Sequence, residues 1–222
     1  MDNKKLATYL EAFVTEKRRN LFDKVLSNRT KHFTVVLEDL FEKYNISAIL
    51  RSCDIFGIQD VHIIENRYQS YVSSHVAKGS QKWVDIYNYN ELEHNTQLCI
   101  DKLRNQGYQI IATTPHSESD YLEDFDITKK SAFVFGVEKA GVSDLIMRQA
   151  DGFLKIPMVG FTESLNVSVA SALILNSTTN KLRNSDIDWQ LKAKDKELIK
   201  LEWMKKSIKS IDLIIERYKK QI

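Results

Sequence analysis

Short apolar runs alternate with longer amphipathic stretches through the middle of the chain. Runs of Val, Ile, Leu and Phe are typical of buried strands, whereas apolar residues that recur every three or four positions indicate helices. The pattern predicts helices at 45–56 and 91–105, and strands at 33–37, 60–64, 83–87, 108–113, 131–135 and 153–156. Strands that alternate with helices predict an α/β fold with a mostly parallel sheet and helices on both faces.

Both ends of the chain have a helical pattern instead. Apolar residues between 4 and 26 predict two short helices, with Lys17-Arg18-Arg19 between them. A polar linker at 184–188 is followed by a heptad-like apolar stripe from Leu198 to Tyr218, which is most often a helix packed on its own domain or on a second subunit. The sequence therefore predicts a body at 31–183, an N-terminal helical extension at 1–30 and a C-terminal basic helix at 184–222.

The stretch from Ile156 to Leu175 joins the last strand to an apolar helix. Thr162 or Ser164 is placed to cap that helix, and apolar residues on all of its sides indicate burial. Asn166 is a polar exception near the helix start. Unpaired amide groups at a helix start suit a polar ligand, although an ordinary strand-to-helix turn explains the stretch equally well.

The net charge of +2 conceals an uneven distribution. Residues 1–31 carry eight Lys and Arg against four acidic residues, and residues 181–222 carry twelve against seven. The body is correspondingly acidic. Basic ends are typical of nucleic-acid binding, but lysine-rich solvated helices give the same distribution.

Several classes of site lack their sequence patterns. The five histidines and two cysteines show no metal-ligand spacing, so we expect no metal site. The glycines fit neither a phosphate-binding loop nor a dinucleotide fingerprint, yet four of the seven lie between 136 and 160, where the backbone must bend or approach a ligand. No secretory or membrane segment is evident, and two unpaired cysteines fit a reducing cytoplasm.

Three motifs resemble those of one family. Asn45 to Asp54 reads NISAILRSCD, Phe135 to Ser143 reads FGVEKAGVS, and Ile156-Pro157-Met158 is followed by SLNVSVA from Ser164. In order and spacing they resemble the motifs of the SpoU/TrmH family, the knotted ribose methyltransferases of RNA. The resemblance extends through Gly79 to Val84 and covers about residues 34–183.

The resemblance implies that residues 133–175 thread through themselves in a deep trefoil knot, which sequence physics alone would not propose. It also implies a homodimer through the knot region. S-adenosylmethionine (AdoMet) would be bound in the knot, largely by main-chain groups of three loops. The corresponding positions here are Thr113, Thr114, Gly136, Glu138, Ile156, Met158, Ser164 and Leu165.

By the same resemblance, Arg51 is the central catalytic residue, with Asn45, Glu138, Ser164 and Asn166 arranging it and the substrate. Methyl transfer to a ribose 2′-hydroxyl requires that the proton be removed or the alkoxide stabilised. A guanidinium is a poor base, so we favour Arg51 as a phosphate ligand and alkoxide stabiliser, although the role of base stays open. Asn45 is also a natural helix cap.

Within the family the likeness is greatest to tRNA enzymes that act on the D-loop guanosine at position 18. The alternatives are ribosomal RNA ribose methylation and a non-catalytic RNA-binding module on the same fold. Cytoplasmic tRNA is therefore the expected partner, contacted by Lys17, Arg18, Arg19, Lys82 and Arg183.

Overall fold

A computed structural model describes residues 2–68, 77, 79–115, 119–137 and 140–221. These residues divide into two compact units. One is Thr30–Trp189, and the other combines residues 1–29 with residues 190–222. The two terminal segments, treated separately in the sequence, thus form a single unit.

The unit Thr30–Trp189 contains a sheet in which every described strand pair is parallel. The strands are β1 Phe33–Glu38, β2 Asp60–Ile64, β3 Asp85–Tyr89, β4 Gln109–Thr113, β5 Asp120–Tyr121, β6 Ser131–Phe135 and β7 Gly152–Lys155. Their order across the sheet is β3-β2-β1-β6-β4-β7-β5. This confirms the predicted α/β class and the six predicted strands within two residues, while the short β5 was not predicted.

Four helices of this unit are α3 Lys43–Phe56, α4 Asn95–Asn105, α5 Asp144–Gln149 and α6 Val167–Arg183. They cover both faces of the sheet, as predicted. Val35 and Leu37 of β1 belong to a buried cluster with α3 and α6, whereas Val36 belongs to a second cluster with α4 and α5. Alternate side chains of one strand point to opposite faces, so the two clusters are the two halves of the core.

The other unit contains α1 Asn3–Glu11, α2 Glu16–Leu26, α7 Ala193–Ser207 and α8 Ile211–Lys219. Trp203 of α7 is buried, with the Phe22 ring 5.6 Å from its own and the Arg29 guanidinium 5.4 Å away. Lys200 binds Asp23 at 2.7 Å. Aromatic burial and this ion pair join the two terminal segments.

Two terminal predictions are wrong. Lys17, Arg18 and Arg19 lie within the first turns of α2 rather than between helices, because Thr15 caps α2 by accepting a hydrogen bond from the Arg18 amide. The C-terminal stripe is two helices rather than one, and the left-handed backbone of Ser210 (φ 53°) separates them. No described helix is long and apolar enough to cross a membrane.

His62 on β2 gives the fold a predictable response to acid. Its ring is 1% exposed, stacks on Tyr87 at 4.9 Å and lies 2.9 Å from the Tyr89 hydroxyl. Burial, and then the charges of Lys102 and Lys31, lower the pKa of His62 from 6.5 to about 4. The folded protein therefore keeps this ring neutral at a pH where the unfolded chain takes up a proton.

We predict that the free energy of unfolding falls as pH drops from 6.5 towards 4, with no such dependence above that window. The contribution of His62 between pH 7 and pH 5 should be about 2 kcal/mol. Urea unfolding of the wild type and of His62→Phe at both pH values measures it. Because burial also lowers the pKa of His32, the variant should keep a smaller dependence, and an unchanged dependence would contradict the assignment.

Candidate active site

A cavity opens at the carboxyl edge of the sheet, where β4, β6 and β7 end. Residues from three loops line it: Thr113, Thr114, Gly136, Ile156, Met158, Ser164 and Leu165. Ligands of parallel α/β sheets bind outside the carboxyl ends of the strands. We call this space the donor cavity, after the methyl donor that the sequence resemblance leads us to expect there. The structure thus gathers all the cofactor positions expected from the sequence except Glu138, which lies outside the described residues.

The donor cavity is mainly apolar, with polar groups at its rim. Phe135, Leu154, Val167 and Ile174 supply apolar surface. The Thr113 hydroxyl donates to the Val134 carbonyl at 2.8 Å, and the Thr114 amide donates to the Leu154 carbonyl at 3.1 Å. Apolar walls with a few placed polar groups are typical of sites for small organic ligands.

Gly136 determines how tightly the loop after β6 folds. A Cβ atom at this position would lie 2.0 Å from the Gly141 carbonyl oxygen. Val137 and Gly141 exchange two backbone hydrogen bonds of 3.0 and 2.8 Å, and Gly141 has a left-handed φ of 70°. Only glycine fits such a close backbone approach. This contact fixes one wall of the donor cavity.

Glu38, at the end of β1, holds the next part of the same loop and was not predicted as a site residue. It is 3% exposed. Its carboxylate accepts hydrogen bonds of 2.8 Å from the Ser143 amide, the Ser143 hydroxyl and the Thr96 hydroxyl. Ser143 caps α5 and Thr96 lies in the first turn of α4. A buried carboxylate is stabilised by such donors, so we call these contacts the Glu38 brace.

The start of α6 differs from the prediction. Asn166, rather than Thr162 or Ser164, caps the helix by accepting a hydrogen bond from the Ser168 amide at 2.9 Å. Residues 162–165 precede the helix in non-helical backbone. Because Asn166 fills the cap with its own side chain, Ser164 is left to line the donor cavity.

The prediction that Asn45 caps α3 is also wrong. The helix starts two residues earlier at Lys43, with Glu42 at the cap position and no side-chain cap bond. The Asn45 side chain instead accepts a hydrogen bond from the Asn166 side chain at 3.2 Å. This bond joins the first and last sequence motifs, and α3 packs against α6.

A second, larger cavity adjoins the donor cavity and shares Val137 and Gly141 with it. Asn45 and Asn166 line it together with residues near the brace. Arg51 lies on the exposed side of α3 and lines neither cavity. The structure therefore brings Asn45, Ser164 and Asn166 to the two adjoining cavities but leaves Arg51 outside both.

The proposed RNA contacts lie in both units. Arg18 is placed over the Phe22 ring at 5.9 Å, and Arg19 lies 3.9 Å from Glu11. Lys82 ends a short 3₁₀ turn, Ser80–Lys82. Arg183 donates to the Phe56 carbonyl at 2.7 Å, so it satisfies the end of α3, and burial lowers its pKa. Arg183 thus has a structural contact that the sequence did not reveal.

Within the described ranges, no cluster of three His, Cys, Asp or Glu side chains has the geometry to hold a metal ion. Cys53 and Cys99 are buried and form no disulfide. Among the described residues, those with polar side chains that line the donor cavity are Thr113, Thr114, Lys155 and Ser164.

Comparison with known proteins agrees with this geometry. The model of the SpoU rRNA Methylase family matches residues 32–176. A tRNA (guanosine(18)-2′-O)-methyltransferase of Borreliella burgdorferi is 37% identical over 205 residues, 92% of each chain. The enzyme of that name from Thermus thermophilus is 37% identical over 161 residues, covering 72% of this chain and 81% of the relative. The A. aeolicus TrmH/SpoU tRNA modifying enzyme superposes with a TM-score of 0.77 at 31% identity, covering 87% of this chain and 98% of that one.

A parallel sheet with a loop-built cavity at its carboxyl edge defines a ligand-binding α/β protein. The family match covers both the sheet and the three loops. The chain belongs to the SpoU methylase family.

The Glu38 brace leads to a prediction about the donor cavity. Glu38→Gln places an amide group against donors of Ser143 and Thr96, so it should lower the free energy of unfolding by about 1–3 kcal/mol. It should also weaken AdoMet binding, because Ser143 loses its anchor close to Gly141, which lines the donor cavity. Denaturant unfolding and calorimetry measure the two effects, and Glu123→Gln, at an exposed position, is the control. Wild-type AdoMet affinity in a destabilised Glu38→Gln protein would show that the brace serves stability alone.

Proposed function

We propose that the protein is an AdoMet-dependent tRNA 2′-O-methyltransferase that modifies guanosine 18. The observation that carries this proposal is the 37% identity with the Borreliella burgdorferi enzyme along nearly the whole of both chains. The three loops in which the resemblance places the cofactor, at 113–114, 136 and 156–165, converge on one cavity, which supports catalysis over a non-catalytic RNA-binding role. Such an enzyme acts where tRNA matures, so we expect it in the cytoplasm.

The donor cavity suits AdoMet on its own chemistry. The apolar walls from Phe135, Leu154 and Ile174 fit a flat aromatic base. We propose that backbone groups of the residues that line it after β4, β6 and β7 hold its polar edges. We expect this binding to need no metal. When bound, AdoMet supplies a methyl group on a positively charged sulfur.

The residues of the chain then have to prepare the ribose hydroxyl. Asn45 lies in the first turn of α3, and Asn166 caps α6. Their side chains are joined by a hydrogen bond of 3.2 Å and are suited to orient substrate groups. Arg51 carries a fixed positive charge, which would bind the neighbouring phosphate and stabilise the developing alkoxide. Glu138 and Ser164 are proposed to orient Arg51 and the substrate.

A homodimer is the second part of the proposal. Val169 and Leu173 on α6 are 47% and 43% exposed, on a helix that the sequence predicts to be buried on every side. A second copy packed on this face would cover them, and it would allow Arg51 of one chain to approach a cavity of the other.

Light scattering at micromolar concentration should therefore give the mass of a dimer. Val169→Glu should shift the protein towards monomer, because a carboxylate would be buried without a partner. The matched change Leu98→Glu, on the exposed side of α4, should leave the mass unchanged. A monomeric wild type would contradict the proposal.

Labelled AdoMet and total RNA test the reaction. Wild-type protein should label tRNA, and mapping should place the methyl group on the 2′-oxygen of guanosine 18. Label in ribosomal RNA would support the alternative suggested by the description of the matching family model. The absence of both cofactor binding and transfer would support a non-catalytic protein.

Arg51→Ala should abolish transfer in this assay while leaving AdoMet affinity nearly unchanged, because its proposed contacts are with phosphate and alkoxide. Arg148→Ala, at an exposed position on α5 that lines neither cavity, is the matched control. Wild-type turnover of Arg51→Ala would overturn the assignment.

The basic residues of α2 are proposed to grip tRNA phosphates. Replacing Lys17, Arg18 and Arg19 with Ala should then lower the slope of log affinity against log salt by a little under one unit per lost contact. AdoMet affinity should not change. Circular dichroism checks the fold, since Arg18 and Arg19 also contact Phe22 and Glu11. An unaltered slope would show that these side chains are only solvated surface.

A further inference from the structure

The second cavity has the features of a binding site for a planar base. It is about 1000 Å³, against about 110 Å³ for the donor cavity. It adjoins that cavity through the loop that Gly136 and the Glu38 brace hold. A group bound in it would therefore lie beside the site of methyl transfer.

Two exposed aromatic rings form part of its wall. Phe41 and Tyr68 line the cavity and are 63% and 43% exposed. Their ring centroids lie 5.3 Å apart at an interplanar angle of 69°. Exposed rings beside a proposed active site of an RNA enzyme are suited to stacking, because every nucleobase has a π face.

Hydrogen bonds to the Asp39 side chain join the two segments that carry these rings. The Asp39 side chain accepts hydrogen bonds from the amides of Asn66 and Arg67, at 2.6 and 2.9 Å. Asp39 itself has a left-handed φ of 54°. These bonds fix the chain before Tyr68 to the chain before Phe41. Non-glycine residues in this backbone region are uncommon and cluster at functional sites.

The charges around the cavity match one base better than they match phosphate. Glu42, Asp144 and Arg67 are among its lining residues. Glu38 and Asp39 also line it, but their carboxylates already accept hydrogen bonds within the protein. Carboxylates repel phosphate but accept hydrogen bonds from the N1–H and exocyclic amine of guanine. An arginine donates to the O6 and N7 atoms on another edge of the same base.

We propose that the second cavity receives the unstacked guanine base of the target nucleotide, with one ring of the Phe41 and Tyr68 pair stacked on its face and the other against its edge. Glu42 and Asp144 read the donor edge and Arg67 reads the acceptor edge. This inference rests on the proposed function and adds a location and chemistry for base recognition. Enzymes that do chemistry on a single base take it out of the stack and read it in a pocket of this kind.

The first test uses tRNA methylation by Phe41→Ala and Tyr68→Ala. Each should lower kcat/KM for tRNA by about 10-fold or more, since a lost base–aromatic stack is worth that much. Tyr68→Phe keeps the ring and should retain most of the activity. Leu98→Ala, at an exposed position that lines neither cavity, is the control, and AdoMet affinity should match the wild type throughout.

The second test compares tRNA carrying guanosine or inosine at the target position, since inosine lacks the exocyclic amine. The wild type should prefer guanosine, and Glu42→Gln with Asp144→Asn should lose most of that preference. A wild type that labels no tRNA guanosine would defeat the proposed function itself. If the wild type is active, a normal kcat/KM in Phe41→Ala overturns the assignment of the second cavity to the base. A change of Phe41→Ala from dimer to monomer also overturns it, because the two rings would then be a subunit contact.

Discussion

The close approach of Gly136 to Gly141 is the constraint on which the candidate site depends. A single added carbon at Gly136 would lie 2.0 Å from a carbonyl oxygen, far inside contact distance. Gly141 therefore stays packed against the carboxyl end of β6 only while residue 136 lacks a side chain. Both cavities use Val137 and Gly141 as walls, so their shapes depend on this one backbone contact.

The Glu38 brace extends that constraint across the sheet. Its carboxylate joins the end of β1 to the starts of α4 and α5 through three hydrogen bonds of 2.8 Å. Helix starts carry partial positive charge, which favours an anion there. The hydrogen bond between the Asn45 and Asn166 side chains likewise connects the starts of α3 and α6. Four helices and two cavities are thus positioned from one edge of the parallel sheet.

Much of the fold follows from local pattern, whereas the site was predictable only as far as its motifs extend. Buried runs such as 33–37 are strands because a covered parallel sheet requires apolar side chains on both faces. The cap prediction failed at Asn45 because a polar side chain near a helix start can bond across the structure. Glu38 was missed because its partners are distant along the chain, and the available signal was a carboxylate at the end of an apolar strand. The pairing of Phe41 with Tyr68 also depends on a tertiary contact that no local pattern records.

The Gly136 contact shapes the cavity proposed to hold the methyl donor. Calorimetric titration of AdoMet into Gly136→Ala tests it most directly, with Gly160→Ala as the matched control because a Cβ there would meet nothing within 4 Å. Gly160→Ala should bind AdoMet like the wild type. Gly136→Ala, with its sheet intact by circular dichroism, should bind AdoMet at least about tenfold more weakly, which is a loss of about 1.4 kcal/mol of binding free energy. Equal affinity of the folded Gly136→Ala protein and the wild type would contradict the account.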